Sequence, residues 1–557
     1  MIVLSTWAAG CASLPADVQR TPSAALASPD GTGLGRLVAS RRAQAGARSD
    51  SGFKLLDSVD IALSARLALV DGAQRTLDLQ YYAIHADAKT EVILQSLRSA
   101  ARRGVRVRIL LDDFNTAGAD AQVLRLAFVK NVEIRLFNPI AGSRGSIATR
   151  VLGSLHDIGT LQKRMHNKLF IADNAWGIAG GRNLGDAYFG GSDTSNFVDL
   201  DVLAAGRIVR DMSASFDSYW NNQLAYPVQS LISAKELDAL RKDGEKADPV
   251  GGPGGEIVEA SDKPAAQAIP AMAQRTVLPN MTATAVAAAD RPSLNLQTVP
   301  LIWAPSVLMV DKPGKVGPGD DEVDAGDTLI DGLLALMQQA RQEVLIISPY
   351  FVPGQPMMKV FAEMRAKGVR IRVLTNSLAS NDAPAAHAGY ARYRKDLLLM
   401  GVEIHEMRSD PASVGLTGSG GGGSGSGGAG SGIGSSLCSG VGGSKGGATR
   451  ASLHSKAVII DRRISVIGSM NLDLRSQIQN SEVALVIRGK PLAEASAKLI
   501  EGTFATGAYK LELVNGGLLW RAPPGANFKD ATTEPEAGTR LKLLVNIIGP
   551  FAPDEML

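Results

Sequence analysis

A chain of 557 residues with 45% hydrophobic and 20% charged side chains is too long for one compact core and too apolar for wholesale disorder. Its net charge of +3 argues against a polyanionic partner such as nucleic acid. Two cysteines, Cys11 at the N-terminus and Cys438 inside a Gly/Ser tract, exclude a disulfide framework, and no stretch in the body reaches the roughly 18 uninterrupted apolar residues of a spanning helix.

Residues 1–11, MIVLSTWAAGC, are apolar and end in Ala-Ala-Gly-Cys. They resemble the end of a bacterial lipoprotein signal, without its basic start and with Ala8 where Leu is usual, so Cys11 is the expected lipid attachment point. The Pro/Ala/Ser-rich residues 12–49 read as a tether. Within 50–245, DIALSARLALVDGAQ has helical spacing and TLDLQYYAI alternates as a strand. EVILQSLRSAARRG then reads as a helix stopped by Gly104, followed by the strands VRVRILLDD and VEIRLFN. The same order returns in 299–513, where LLALMQQARQEVLIISPYF, MRAKGVRIRVLTNS and GVEIHEM repeat the three patterns. Gly104 and Gly368 lie 264 positions apart and His166 and His454 lie 288 apart, and the excess of 24 coincides with the Gly/Ser tract 415–447. That tract reads as a flexible insertion without chemistry. Between the halves Ser233 and Glu236 predict a capping box, and the Pro/Ala/Gly-rich residues 246–298 read as a linker. The tail 514–557 carries RLKLLVNIIGPF, too short to span a bilayer; packing onto the body is expected, with insertion at a membrane surface as the alternative.

Two stretches hold the chemistry. MHNKLFIADNAWGIAGGRN carries His166, Lys168, Asp173, Gly180, Gly181 and Asn183, and LHSKAVIIDRRISVIGSMN carries His454, Lys456, Asp461, Gly468, Ser469 and Asn471. Each reads as strand, turn and returning strand, with the His and its Lys on one side. One such motif alone would read as a strand with a buried histidine, but two of the chain's six His fall at the same place in the same pattern. A pseudo-twofold relation brings two imidazoles and two ammonium groups to one point. That set suits attack on a phosphodiester: one imidazole takes phosphorus, the other protonates the departing oxygen, and Lys168, Lys456, Asn183 and Asn471 hold the non-bridging oxygens. No cofactor and no metal are required for it. Histidines in such sets need a partner that fixes the tautomer. Glu482 in NSEVALVI and Asp201 in VDLDVLAA follow the motifs at similar stations and are nominated. Asp173 and Asp461, at predicted strand ends, read as turn or salt-bridge residues.

The paired stretches resemble the HxKxxxxD…GxxN motifs of the phospholipase D superfamily. YYAIHAD, LLDDFNTAG, GGRNLGDAYFG, DLDVLAAG, SPYFVPG, LTNSLASND, HAGYARYR and NLDLRS are similar to its bacterial cardiolipin synthase branch. The resemblance covers most of 50–245 and 299–513. It implies a bilobal α/β fold of two tandem lobes, each a mixed sheet flanked by helices, with one active site between them, a phosphohistidine intermediate and no metal. It further implies transfer of a phosphatidyl group between phospholipids to give cardiolipin, at the membrane of a bacterial envelope. Family practice makes His166 the nucleophile and His454 the acid. Gly181 stands where the family has Ser, a hydroxyl that Ser469 retains. The alternatives are a phospholipase D that uses water as acceptor, a nuclease, and an envelope protein with a decayed site. Candidate lipids are phosphatidylglycerol, phosphatidylethanolamine and cardiolipin; the sequence leaves the oligomeric state open. His387, Tyr390 and Arg394 fit either a headgroup contact or an amphipathic helix with a buried tyrosine.

Overall fold

Polar residues begin several of the helices, and glycines end two of the repeated ones. Ser58 and Asp87 accept backbone N–H groups from Ile61 and Thr90 at the starts of helices Val59–Gly72 and Ala88–Arg102, and Thr328 forms a capping box with Asp331 ahead of helix Leu329–Met337. Gly104 and Gly368 take φ of +90° and +80° where two of the repeated helices stop, a conformation that favours glycine. The predicted capping box also forms, with Ser233 and Glu236 bonding reciprocally.

The computed structural model describes residues 14–142, 144–146, 150, 158–239, 294–317, 328–411 and 449–549. Cys11, the insertion 415–447 and most of the linker lie outside them.

Two nine-stranded sheets carry the fold. The first contains β1 (Ser51–Leu56), β2 (Thr76–Tyr81), β3 (Arg106–Asp112), β4 (Val132–Phe137), β5 (Leu169–Ala172), β6 (Trp176–Gly180), β8 (Asp201–Gly206), β9 (Ala225–Pro227) and β10 (Ile302–Trp303). The short β7 (Ser195–Val198) stands apart from it. The second contains β11 (Ser306–Val310), β12 (Glu343–Ile347), β13 (Arg370–Asn376), β14 (Glu403–Met407), β16 (Ala457–Ile460), β17 (Ile464–Gly468), β18 (Val483–Arg488), β19 (Ala508–Val514) and β20 (Gly517–Arg521), with β15 (Arg450–Leu453) apart.

The first sheet is ordered β10-β1-β8-β6-β5-β2-β3-β4-β9 and the second β11-β18-β17-β16-β12-β13-β14-β19-β20, so from β1 to β9 and from β11 to β19 the halves have one topology. The predicted α/β duplication is therefore present as two mixed sheets flanked by helices. They share a core: Phe53, Leu169, Ile171, Ala179 and Val202 of one half pack in the same cluster as Leu345, Ile459, Ile467, Val483 and Leu485 of the other. Burial of this continuous apolar face, worth about 25 cal/mol per Å², ties the lobes together.

Two boundaries read from sequence are corrected. Residues 14–49 are no tether: helix Gly33–Gln44 buries Leu34 and Val38 in the first lobe, and the backbone N–H of Ala25 donates to Asp217 at 2.7 Å. Too few apolar residues stand at helical spacing there to show it. The second lobe begins later than residue 299, because β10 pairs with β1 of the first sheet and the chain crosses at Ala304 and Pro305. The apolar tail segment forms helix Thr539–Ile548, which buries Leu541 and Val545 against Leu378 and Ala388. His387, Tyr390 and Arg394 belong to a buried network with Glu406 and Glu534, the packing alternative of the two readings.

Candidate active site

Each motif is a hairpin, β5–β6 or β16–β17, whose turn is held by its Asp. Asp173 (φ +52°) accepts the backbone N–H groups of Gln74, Arg75 and Thr76 at 2.8–2.9 Å, and Asp461 (φ +49°) accepts those of Arg341, Gln342 and Glu343 at 2.8–3.0 Å. Both carboxylates anchor the hairpin turn to the head of β2 or β12, at the opposite end of the hairpin from the histidines. Glycines pack the other end. A Cβ on Gly180 would lie 2.1 Å from Asp201 Oδ1, and one on Gly468 would lie 2.1 Å from the Val483 carbonyl.

The histidines precede β5 and β16 and are delivered by backbone pairing between the lobes. β7 runs parallel to β15, and the His454 N–H donates to the Val198 carbonyl at 2.8 Å. In the other half the His166 N–H donates to the Ser481 carbonyl at 2.9 Å, and the Ser481 N–H returns to Arg164 at 3.0 Å. Each pairing ends one residue short of a carboxylate. Nδ1 of His166 lies 2.9 and 3.0 Å from the Glu482 oxygens, and Nδ1 of His454 lies 2.6 Å from Asp199 Oδ2. Both of these His–carboxylate pairs thus join one lobe to the other.

Glu482 occupies the nominated place, but Asp201 does not. Asp201 is buried with Arg66 at 2.9 Å and Arg182 at 3.3 Å, and Asp199 takes the orienting position. Register gives the reason: Gly180 pairs with Asp201 and Gly468 with Ala484, so the counterpart of Glu482 is the residue two before Asp201. The sequence held a usable signal, because Asp199 and Glu482 both stand seven residues before a helix-capping glycine, Gly206 or Gly489. Replacing Asp201 by Ala would leave two buried guanidinium groups short of a partner. That variant is expected to lose about 3–5 kcal/mol of stability, read by denaturant unfolding, while the folded fraction keeps its turnover.

The two halves then diverge. Glu482 receives hydrogen bonds from the hydroxyls of Ser469 and Ser476. Asp199 has no counterpart to Ser469, because a Cβ on Gly181 would lie 2.3 Å from its Oδ1. Glycine at 181 admits the shorter carboxylate. Burial pushes Glu482 up to about 7 against the opposing Lys168 charge. Burial also acts to raise Asp199, but the His454 and Lys456 charges outweigh it and hold the carboxyl below its usual range. His166 is held well below the ordinary imidazole value by burial, then by Lys168, Lys456 and Arg475. His454 falls to about 4 through burial and Lys456, partly countered by Asp199. Burial brings Lys168 down to about 7, and Lys456 shifts the same way. The charge of Lys456 acts on both His166 and Lys168, so the two motifs share one electrostatic site.

Lys168 donates from Nζ to the carbonyl of His166 at 2.8 Å, and Lys456 does the same to His454. Tyr82 stands edge-on to His166 with centroids 5.2 Å apart, and Tyr188 and Phe197 flank His454 at 5.3 and 4.9 Å. Asn183 is engaged, donating to the Tyr188 hydroxyl at 2.9 Å and accepting from Ala83 at 3.2 Å, whereas Oδ1 of Asn471 is buried with no partner among the described residues. The motif pattern pointed to none of Asp199, Tyr188, Phe197 or Ser476.

Paired imidazoles, each locked through Nδ1 by a carboxylate from the opposite lobe and each beside a buried ammonium, define a site of the phospholipase D type. Comparison with known proteins agrees. The family model described as "Cardiolipin synthase, PLD-like domain" matches residues 67–220, 333–416 and 437–504. The chain is 35% identical over 474 residues to cardiolipin synthase C of Escherichia coli (strain K12), covering 84% of this chain and 87% of that protein. It is 29% identical over 541 residues to an uncharacterized protein of Helicobacter pylori, covering 96% and 95%. The crystal structure of phosphatidylserine synthase from Haemophilus influenzae Rd KW20 has the same fold, with a TM-score of 0.53 at 12% identity over 93% of this chain and 100% of that one. The chain belongs to the phospholipase D-like cardiolipin synthase family and is a phospholipase D-type phosphatidyltransferase.

Proposed function

We propose that the enzyme moves a phosphatidyl group from one phospholipid to the headgroup hydroxyl of a second, giving cardiolipin, through a phosphohistidine on His166. The observation that carries this reading is the pair of His–carboxylate contacts across the lobe interface. With its proton kept on Nδ1 by Glu482, His166 offers the Nε2 lone pair to phosphorus, and the bond to the departing headgroup oxygen breaks. His454 gives its Nε2 proton to that oxygen. In the second step neutral His454 takes the proton of the acceptor hydroxyl, the acceptor oxygen attacks phosphorus, and the P–N bond breaks. Lys168 and Lys456 hold the charge that builds on the non-bridging oxygens.

The asymmetry between the halves supports this division of labour. An ionised Asp199 stabilises the imidazolium that an acid needs; burial and then the Lys456 charge hold His454 down, and the incoming phosphate opposes the second of these. Burial of His166 itself, then the two ammonium groups, keep it neutral as a nucleophile must be, beside a carboxyl that burial also raises. We place this chemistry at a bacterial envelope membrane, with Cys11 as a lipid anchor.

Incubating the purified protein with vesicles of phosphatidylglycerol and phosphatidylethanolamine tests the reading, with products followed by lipid mass spectrometry. Cardiolipin is the expected product. Phosphatidic acid without cardiolipin would make the enzyme a hydrolase and overturn the transfer reading.

A further inference from the structure

Helix Thr539–Ile548, TRLKLLVNII, is apolar on two sides. One side holds Leu541 and Val545 and is buried against Leu378 and Ala388. Opposite it Leu543 and Ile547, one turn apart, are 60% and 57% exposed. Charge on the helix has one sign: Arg540 and Lys542 are its only ionisable residues, and it contains no carboxylate. A helix with an outward apolar pair and only basic charges suits the boundary between anionic headgroups and acyl chains, where apolar side chains enter and cations meet phosphate.

Its location couples it to the site. Leu378, on which it rests, belongs to the segment that follows β13. The end of β13 and that segment together grip β15, the strand that leads into His454. Asn376 exchanges two hydrogen bonds of 2.9 Å with the backbone of Leu453, and Arg450 donates to the Ala379 carbonyl. A few residues on, Asp382 accepts the Tyr350 hydroxyl at 2.8 Å, and the Asp382 charge acts on both His454 and Lys456. The helix bearing the exposed pair therefore packs on a segment that reaches the His454 side of the site.

We propose that the face of this helix bearing Leu543 and Ile547 is the surface by which the enzyme seats on an anionic phospholipid bilayer, so that headgroups are presented to the site beside His454. The occupant is the lipid surface itself. The inference rests on the reading of bilayer phospholipids as substrates, and it adds the face through which they are reached.

The test pairs two substrates in the full-length protein. In the variant L543D/I547D, both substitutions fall on exposed positions and leave the buried side of the helix intact. Co-sedimentation with vesicles containing phosphatidylglycerol is expected to drop about tenfold or more, and turnover of vesicle lipid to drop with it. Hydrolysis of the soluble diester bis(p-nitrophenyl) phosphate is expected to stay at the wild-type rate. Wild-type binding should also weaken as salt is raised, because the basic residues act through a screened field. Vesicle binding and lipid turnover by the variant at wild-type levels would overturn the proposal, and so would an equal loss on the soluble diester. If the wild-type protein cleaves the soluble diester but no lipid, it is the substrate reading that fails. Binding by the wild type through Cys11 lipidation alone would appear as vesicle association that the double variant retains.

Discussion

His166→Ala is expected to reduce phospholipid turnover by about 10⁴-fold or more, because the proposed mechanism puts the covalent bond on that side chain, and residual rate then comes only from the bound ammonium groups. His454→Ala is expected to cost about 10²–10⁴-fold on the same substrate, the range for losing a general acid and base. Leaving-group chemistry separates the two. A p-nitrophenyl phosphodiester departs without protonation, so His454→Ala should complete the first step at close to the wild-type rate and then stall, for want of a base to activate the acceptor. Rapid-quench experiments would show a burst of nitrophenolate, and intact-protein mass spectrometry would show an acid-labile adduct. His166→Ala should show neither. An adduct formed by His166→Ala and absent from His454→Ala would exchange the assigned roles. Loss of neither activity in either variant would remove the mechanism.

The duplicated scaffold was legible because each half repeats helix stop, strand pattern and motif in one order, and the coordinates return that order as two sheets of matching topology. The histidines, lysines and glycines were legible for the same reason. The partner of His454 was not, because the loop between β6 and β8 contains the additional strand β7. Counted from the motif glycine, Asp199 lies 19 residues after Gly180, while Glu482 lies 14 after Gly468, so forward counting misaligns the halves. Among the described residues β7 pairs with no strand of the first sheet; its purpose is visible only once β15 of the other lobe lies beside it. A single-chain reading of strand patterns contains no information on which strands meet across an interface. Gly181 shows a similar limit. Read as a lost hydroxyl, it is in the structure the vacancy that a one-carbon-shorter acid fills.

Glu482→Gln and Asp199→Asn should each lower kcat by about 10²–10⁴-fold while leaving the fold intact, and they should do so at different steps. An amide can donate to Nδ1, which places the imidazole proton on Nε2. For His166 that removes the lone pair needed for attack, so Glu482→Gln should give no nitrophenolate burst with the aryl ester. For His454 it removes the acceptor that deprotonates the incoming hydroxyl, so Asp199→Asn should keep the burst and slow only the turnover that follows. The pH profile adds an independent check. Glu482 titrates at about 7, and as pH falls through that value it takes a proton and can no longer accept the Nδ1–H bond, so activity falls on the acid side. Lys168, also at about 7, loses its proton as pH rises and with it the charge that holds the phosphoryl oxygens, so activity falls on the alkaline side. With substrate bound and its phosphate supporting the protonated His454, the wild-type kcat should therefore follow a narrow bell centred near neutrality. Glu482→Gln has no carboxyl to titrate, so its residual activity should lose the acid limb near neutrality and keep the alkaline one. An unchanged bell in that variant would mean that Glu482 does not govern the protonation of His166, and the cross-lobe pair would be a structural contact alone.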